Sequence, residues 1–490
     1  MSMVQAQPTE VDVSDMNSFG TPTRGVIEQL VSGEISRDQF VKRAALLGLS
    51  AAGIGGVLVG AGKATAADQV AARGLAGGVV NMLVAAEGDE KGVKDKIGEM
   101  KSRLGVDVKM TALPVGPLIE KTNQSVKAKS GVFDAIEVLG FTVSAFVGGG
   151  FFEKLNTRIA SAPAGYDYPA DFPAGALDYV SKFDIAKQQF GGKDVYLIPG
   201  LHGGSVVLFY RTDLLKAAGV AVPKTWAQYV AAAKKLNTGG VAGNSMIAKS
   251  GDVSMFLVDF YSRFAGTGGR LMSGSPQAKN FTPRLTSPEA VAALQNMVDC
   301  VQYASPGVLQ YDFTASSDAF SAGKTAMMAM WSTIAGPVFN KKTSKIAATV
   351  GVATTPGTGA AAGRVVRGGW GIGIPKNAKN KDGAWAVIGY LTSKEWEKYQ
   401  TLTYQTDPNR NSTFFDPGLN TSLPYLTVAG KAFQKAQRLE IANVPETFEM
   451  IGAAAEEFAG ALGGSTTAAA ACKKANDRWM EILKKGGHLA

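Results

Sequence analysis

The chain has 490 residues, enough for two or more domains. Hydrophobic residues make up 46% and charged residues 19%, an ordinary globular composition with ample material for a core. The net charge is +9, but the lysines are scattered, mostly in pairs such as Lys234-Lys235 and Lys484-Lys485. A nucleic-acid interface needs basic runs with aromatics between them, so no nucleic-acid partner is expected.

Residues 1–35 are polar and punctuated by Gly and Pro, which predicts disorder. Ser36-Arg37-Asp38-Gln39-Phe40-Val41-Lys42-Arg43 follows, then an apolar stretch over 44–61 interrupted by Gly48, Gly53, Gly55, Gly56 and Gly60. That stretch is short and glycine-rich for a membrane span, and Ala64-Thr65-Ala66 behind it has the small-x-small pattern of a cleavage site. Residues 1–66 therefore read as an export signal with a long polar n-region, cleaved after Ala66; an uncleaved membrane anchor is the alternative. The segment resembles a twin-arginine signal, with Asp38 standing where that type has its second arginine. Cleavage would leave 45 basic and 35 acidic side chains, so the positive charge belongs to the mature part. No cysteine lies near the cleavage point, which argues against a lipid-anchored form.

Residues 77–86 form a Val-rich strand ending at Ala86-Glu87-Gly88-Asp89; a helix over 93–104 and a strand over 106–111 complete a β-α-β unit, the building block of a parallel sheet. A helix over 119–129 and a strand over 131–139 come next. In open α/β sheets ligands sit at the C-terminal ends of the strands, which makes Glu87, Asp134 and Glu137 candidates for a binding cleft. Residues 162–175 carry three prolines and three aromatics and read as surface loop.

Two short strands, 195–199 and 205–210, flank Leu201-His202-Gly203-Gly204, where glycine would allow a sharp bend through positive φ. A short helix over 213–218, Gly219, Pro223 and a capping box at Thr225/Gln228 lead into a longer helix. Residues 254–266 read as a helix carrying Asp259, and Ser287-Pro288-Glu289 opens another. Ala319 to Trp331 contains Gly323-Lys324-Thr325-Ala326-Met327-Met328, a helix end followed by a buried strand with Trp331 at its end. Arg367-Gly368-Gly369-Trp370-Gly371-Ile372-Gly373-Ile374-Pro375-Lys376 is a glycine-rich strand lacking the third glycine and the helix of a nucleotide fingerprint. Two helices, 382–391 and 394–402, the second capped by Ser393, precede a polar loop with Gln405, Asn409 and Arg410; two more close the chain over 448–483.

The two cysteines, Cys300 and Cys472, fall on predicted helices and read as core residues, Cys472 on an apolar stripe with Ala475, Trp479 and Ile482. The only histidines are His202 and His488, and no zinc spacing exists, so neither a metal nor a cofactor is expected.

Taken in order, Tyr196, Pro199, Tyr210-Arg211-x-Asp213-Leu214, Ala218-Gly219, Pro223 and Thr225-Trp226, then Phe320-x-x-Gly323-Lys324 with Trp331, Gly368-Gly369 with Ile374-Pro375-Lys376, and Arg410, Ser412, Asp416-Pro417 are similar to the extracellular solute-binding proteins of ABC importers, family 1, which carry sugars. The resemblance covers residues 75 to 490. It implies an α/β, two-lobed periplasmic binding protein-like fold of type II, with lobes discontinuous in sequence: 75–202 with 364–405, and 203–356 with 406–490. Crossings would fall near 200–205, 354–366 and 404–408. It implies a carbohydrate or polyol bound between the lobes of a periplasmic monomer, permease transmembrane subunits as partners, and no catalysis. Trp331 and Trp370 would stack on sugar rings, His202, Gly203 and Gly369 would line the crossings, and Arg410 would either reach the ligand or pair with a local acid. The rival readings are an exported carbohydrate-active hydrolase or lyase, which needs two carboxylates at a set separation, and the binding module of a sensory system.

Overall fold

In the computed structural model, the described residues are 21–47, 49, 54, 57–58, 77–162, 166–251 and 253–490. The expected cleavage point at Ala66 and most of the apolar stretch before it lie outside them. Two β-sheets organise the rest. The first has five strands in the order β2-β1-β3-β12-β6. Its members are β1 (Val79–Ala85), β2 (Asp107–Leu113), β3 (Ala135–Leu139), β6 (Leu197–Pro199) and β12 (Trp370–Gly373). β1 is parallel to β2 and β3, since the helices Glu90–Leu104 and Val115–Lys127 return the chain between them. β12 runs antiparallel to both β3 and β6, with Ile372 opposite Glu137 and Ile198. Helices cover both faces, so β1 reads Val80, Met82 and Val84 toward one core and Leu83 and Ala85 toward the other.

The second sheet has the order β10-β7-β11 and is antiparallel throughout, with β7 (Val206–Arg211) between β10 (Met327–Trp331) and β11 (Val350–Thr354). All five residues of β10 are buried, so its three methionines are core. Helices Trp226–Leu236, Val253–Ala265, Pro288–Val301, Thr447–Leu462 and Ala468–Lys485 pack on one another, while Thr212–Ala217, Phe313–Ser321 and Leu426–Lys435 pack on the strands of this sheet. The capping boxes and caps expected at Thr225/Gln228, Ser287 and Ser393 are formed. Cys300 and Cys472 are buried and unbridged.

The chain passes from the first sheet to the second between Pro199 and Val206, and back between Thr354 and Trp370. It leaves the first again after the helix Lys394–Tyr404, reaching the helix Leu426–Lys435 that packs on β7 and β11. Backbone bonds tie these crossings together: Gly203 N–H donates to Asp407 O (2.9 Å) and Gly368 N–H to Gly204 O (3.1 Å).

Four sequence expectations are corrected. Residues 21–35 are not disordered: Thr21–Ser32 is a helix burying Ile27 and Leu30, with Pro22 in its first turn, where proline's missing N–H costs nothing. The 195–199 run is split at Tyr196, with Gln189–Val195 (β5) pairing instead with Lys182–Asp184 (β4) in a separate hairpin. The glycines at 200, 203 and 204 are absent from the positive-φ residues. At Gly203 the reason is space, since a Cβ there would lie 2.4 Å from Pro408 O. Residues 166–175 are not simply surface, because Tyr168 and Phe172 are buried.

Candidate functional site

A cavity of about 330 Å³ opens between the two bodies. On the first-sheet side it is lined by Gly175, Asp178 and Tyr179, from a helical segment that packs on β5, β6 and β12. Gly140, directly after β3, leaves room for Tyr179: a Cβ there would sit 2.3 Å from its ring. Across the cavity stand Tyr261 from the helix Val253–Ala265, and Arg270, Met272 and Phe281 around the hairpin of β8 (Met272–Ser273) and β9 (Thr282–Pro283). Arg367 from the second crossing and Gln437, Arg438, Glu440 and Asn443 complete the wall.

The polar groups here are unevenly satisfied. Arg270 Nε donates to Glu440 Oε1 at 2.7 Å, and Met272 N–H donates to Glu440 Oε2 at 2.9 Å. Tyr261 Oη donates to Arg438 O at 3.1 Å. Arg367 Nε and Nη2 donate to the carbonyls of Phe433 and Ala436 at the end of the helix Leu426–Lys435, while its Nη1 is buried without a partner. Tyr179 Oη and Asn443 Oδ1 are also buried and unpartnered. Burial pushes the Arg367 pKa down to about 10 and lowers that of Arg438; it holds the Tyr179 hydroxyl protonated, well above the usual tyrosine range.

A second constellation stands near the first crossing. His202 places Nε2 3.2 Å from Glu87 Oε2 and Nδ1 3.3 Å from Asp89 Oδ2. Trp370 Nε1 donates to the same Glu87 oxygen at 3.2 Å. Glu137 accepts from Ala85 N–H at 2.9 Å. Burial works against charging His202, but Asp89 and Glu87 overcome it and raise its pKa well above the ordinary value. Burial, then repulsion from Asp89, raises the Glu137 pKa well above the usual carboxylate range. Asp89, Glu137 and His202 bring donor atoms within 4.8 Å of one another, the spacing of a metal site. An imidazolium held between two carboxylates offers no lone pair to a cation, so the group reads as an ion-paired cluster.

The residues expected from the sequence distribute as follows. Glu87, Glu137, His202 and Trp370 come together in that cluster. Gly203 and Gly369 approach each other at the crossings, a Cβ on Gly369 falling 3.9 Å from Gly203 Cα. Asp134 is misplaced by the sequence reading: it precedes β3, at the opposite edge from Glu87, and accepts from the N–H groups of Asn81, Lys379 and Asn380 at 3.0, 2.9 and 2.8 Å. Asp259 is buried away from the cavity, accepting from Ile247 N–H and paired with Arg263. Arg410 pairs with Asp167 at 2.8 Å, donates to Thr392 O and lies 4.3 Å from the Phe172 ring, so the local ion pair is formed. Trp331 is wedged against Gly204 and Gly368 with Nε1 on Met255 Sδ (3.2 Å), and neither tryptophan lines the cavity. Gln405 caps the helix Lys394–Tyr404 in the left-handed region, and Asn409 Nδ2 donates to Gly200 O at 2.6 Å. The sequence reading missed Tyr179, Arg367 and Arg438; Arg367 stands one residue before a glycine pair that had been singled out.

Two sheet-based bodies joined by three crossings, with a cavity between them, define the class of two-lobed periplasmic binding proteins. Solved structures share this fold. A solute-binding protein of an ABC transporter from Agrobacterium radiobacter, in complex with ribitol, aligns with TM-score 0.72 at 23% identity, covering 83% of this chain and 99% of that one. A maltose-bound protein of T. maritima aligns with TM-score 0.70 at 23% identity over the same shares. An Agrobacterium vitis solute-binding protein with bound D-mannitol gives 0.67 at 22% identity, covering 84% and 99%. Among curated proteins, a probable ABC transporter-binding protein of Deinococcus radiodurans is 27% identical over 225 residues, covering 45% of this chain and 52% of that protein. A probable amino-acid ABC transporter periplasmic-binding protein of Sinorhizobium fredii is 28% identical over 226 residues, covering 45% and 49%. The chain thus spans about half the length of these curated relatives. The sequence model described as bacterial extracellular solute-binding protein matches residues 85–398, and the chain belongs to that family.

Proposed function

We propose that this chain is the solute receptor of an ABC importer, binding a carbohydrate or polyol between its lobes and presenting it to the membrane permease. The observation that carries this reading is the cavity lined from both bodies at the crossings. Its size is at the small end for ligand pockets, suited to a monosaccharide or polyol. The ribitol, maltose and D-mannitol bound by proteins of this fold support that class. The lobes run over 75–202 with 364–405 and 203–356 with 406–490, and the solute stabilises their closed arrangement. The chain works as an exported monomer whose leader is removed after Ala66.

The carbohydrate-active enzyme reading would need a free carboxylate pair facing the solute. The cavity carboxylates are Asp178 and Glu440, and Glu440 is held by Arg270 and Met272 N–H. A thermal-shift screen over sugars, polyols and sugar acids tests the proposal: a member should raise the melting temperature with no product formed. Failure of every member, or turnover of one, would overturn it. Mass spectrometry of the exported protein tests the leader; a start at Met1 or Ser2 would remove the cleavage claim.

A further inference from the structure

We propose that the solute taken by the interlobe cavity is anionic, a carbohydrate bearing a carboxylate or a phosphate, with the guanidinium groups of Arg367 and Arg438 as its counter-charges. This rests on the solute-receptor reading and narrows its substrate class. Buried charges are ordinarily paired, since an unpaired one carries a desolvation cost that nothing returns. Arg367 is 2% exposed and Arg438 is largely withdrawn from water, yet among the described residues neither makes an ion pair. Arg438 lies 4.9 Å over the Phe190 ring, and Arg367 4.7 Å over Phe433.

The structural role of Arg367 is visible: Nε and Nη2 cap a helix C-terminus, where a cation is favoured. That role leaves Nη1 unspent beside the cavity. The third cavity arginine, Arg270, is neutralised by Glu440 at 2.7 Å. The remaining carboxylate, Asp178, is more than half exposed and lies 3.9 Å from Lys182. The cavity wall therefore carries three guanidinium groups against two carboxylates, an excess of one, and among the described residues Arg367 and Arg438 stand outside any ion pair. Planar guanidinium matches the oxygens of a carboxylate or phosphate in paired hydrogen bonds. Tyr179 Oη, with its proton retained, adds a donor, and Asn443 Oδ1 an acceptor for a hydroxyl. A neutral sugar would satisfy the acceptor and leave Arg367 and Arg438 without an ion-pair partner.

Titration calorimetry of the full chain distinguishes the sources and the readings. The probes are glucuronate, galacturonate and gluconate, then glucose 6-phosphate, then the neutral parents glucose, galactose and sorbitol. An acid or a phosphate should bind at least tenfold tighter than its neutral parent, and which series binds identifies the anionic group. Arg438→Gln, which removes the guanidinium over Phe190 and keeps a polar amide, should weaken that binding by about tenfold to a hundredfold, the usual worth of hydrogen bonds to a charged group. Arg438→Lys should recover only part, because a point charge cannot make the forked contact. A far-ultraviolet spectrum and melting curve confirm that each variant folds. A neutral parent binding as tightly as its acid, or Arg438→Gln leaving acid binding intact, would overturn the anionic class while the receptor reading stands. Binding of no probe in any series would overturn both.

Discussion

Asp407 shows how much a single residue at the crossings can carry. It is fully buried, its Oδ2 contacts Ser332 Oγ, and Ser332 Oγ also reaches Ser205 O at 2.9 Å. Ser332 Oγ donates to Asp407 Oδ2 and lies within reach of Ser205 O, while Asp407 Oδ1 is buried without a partner among the described residues. Burial, opposed by Ser332 and His202, pushes the Asp407 pKa up to about 7. A folded-state pKa above the unfolded value of about 3.9 means the native state binds the extra proton between the two. The stabilisation is present below pH 4 and is lost as pH rises through 7. The expected difference between wild type and Asp407→Asn, followed by urea denaturation from pH 4 to 8, is a wild-type decline on the order of 2–4 kcal/mol that the variant lacks; parallel pH profiles would refute it. Arg410 makes the complementary case. Arg410→Ala removes the guanidinium bonded to Thr392 O and Asp167, while Asp167 keeps Lys394 at 2.8 Å, so it should cost about 1.5–3 kcal/mol of stability. Solute affinity of the folded fraction should be unchanged, and a lost affinity by calorimetry would return Arg410 to the ligand. The sequence shows that Arg410 sits in a polar loop, but its partner Asp167 is 243 positions away and no local signal links them.

At the scale of elements, local chemistry was legible where it is local. Capping boxes, the proline at a helix start and the all-buried β10 strand follow from a few adjacent residues. Legibility fails where a tertiary partner decides. The run around Tyr196 has one β pattern but two destinations, because β4 claims Gln189–Val195 and β12 claims Leu197–Pro199. Gly203 is a glycine for a neighbour that sequence cannot place: Pro408 O, brought in by the third crossing. Gly203→Ala should therefore push the first and third crossings apart and destabilise the chain by about 1–3 kcal/mol, the usual cost of overpacking. Gly219→Ala, at a helix end with φ of 59° and open space around it, pays only local backbone strain and serves as the control. Equal stability of Gly203→Ala and wild type in denaturant would show that the crossings are not packed as described. The cavity arginines were missed for the same reason. Arg367 and Arg438 lie 71 positions apart, and the bridge of Val366 to Gln437 brings them to one wall.

For the whole molecule, the order of motifs anticipated the two-lobed architecture because each motif marks a point where the chain enters or leaves a sheet. It did not reveal where the solute space lies, since the aromatic residues that stood out are packed against glycine backbone and a carboxylate. The central claim is that two bodies close on a solute held between them. Small-angle X-ray scattering of the purified chain, alone and saturated with the solute that raises its melting temperature, tests this directly. The account predicts a smaller radius of gyration in the saturated protein. An identical radius in both samples, with binding confirmed in the same solution, would contradict it.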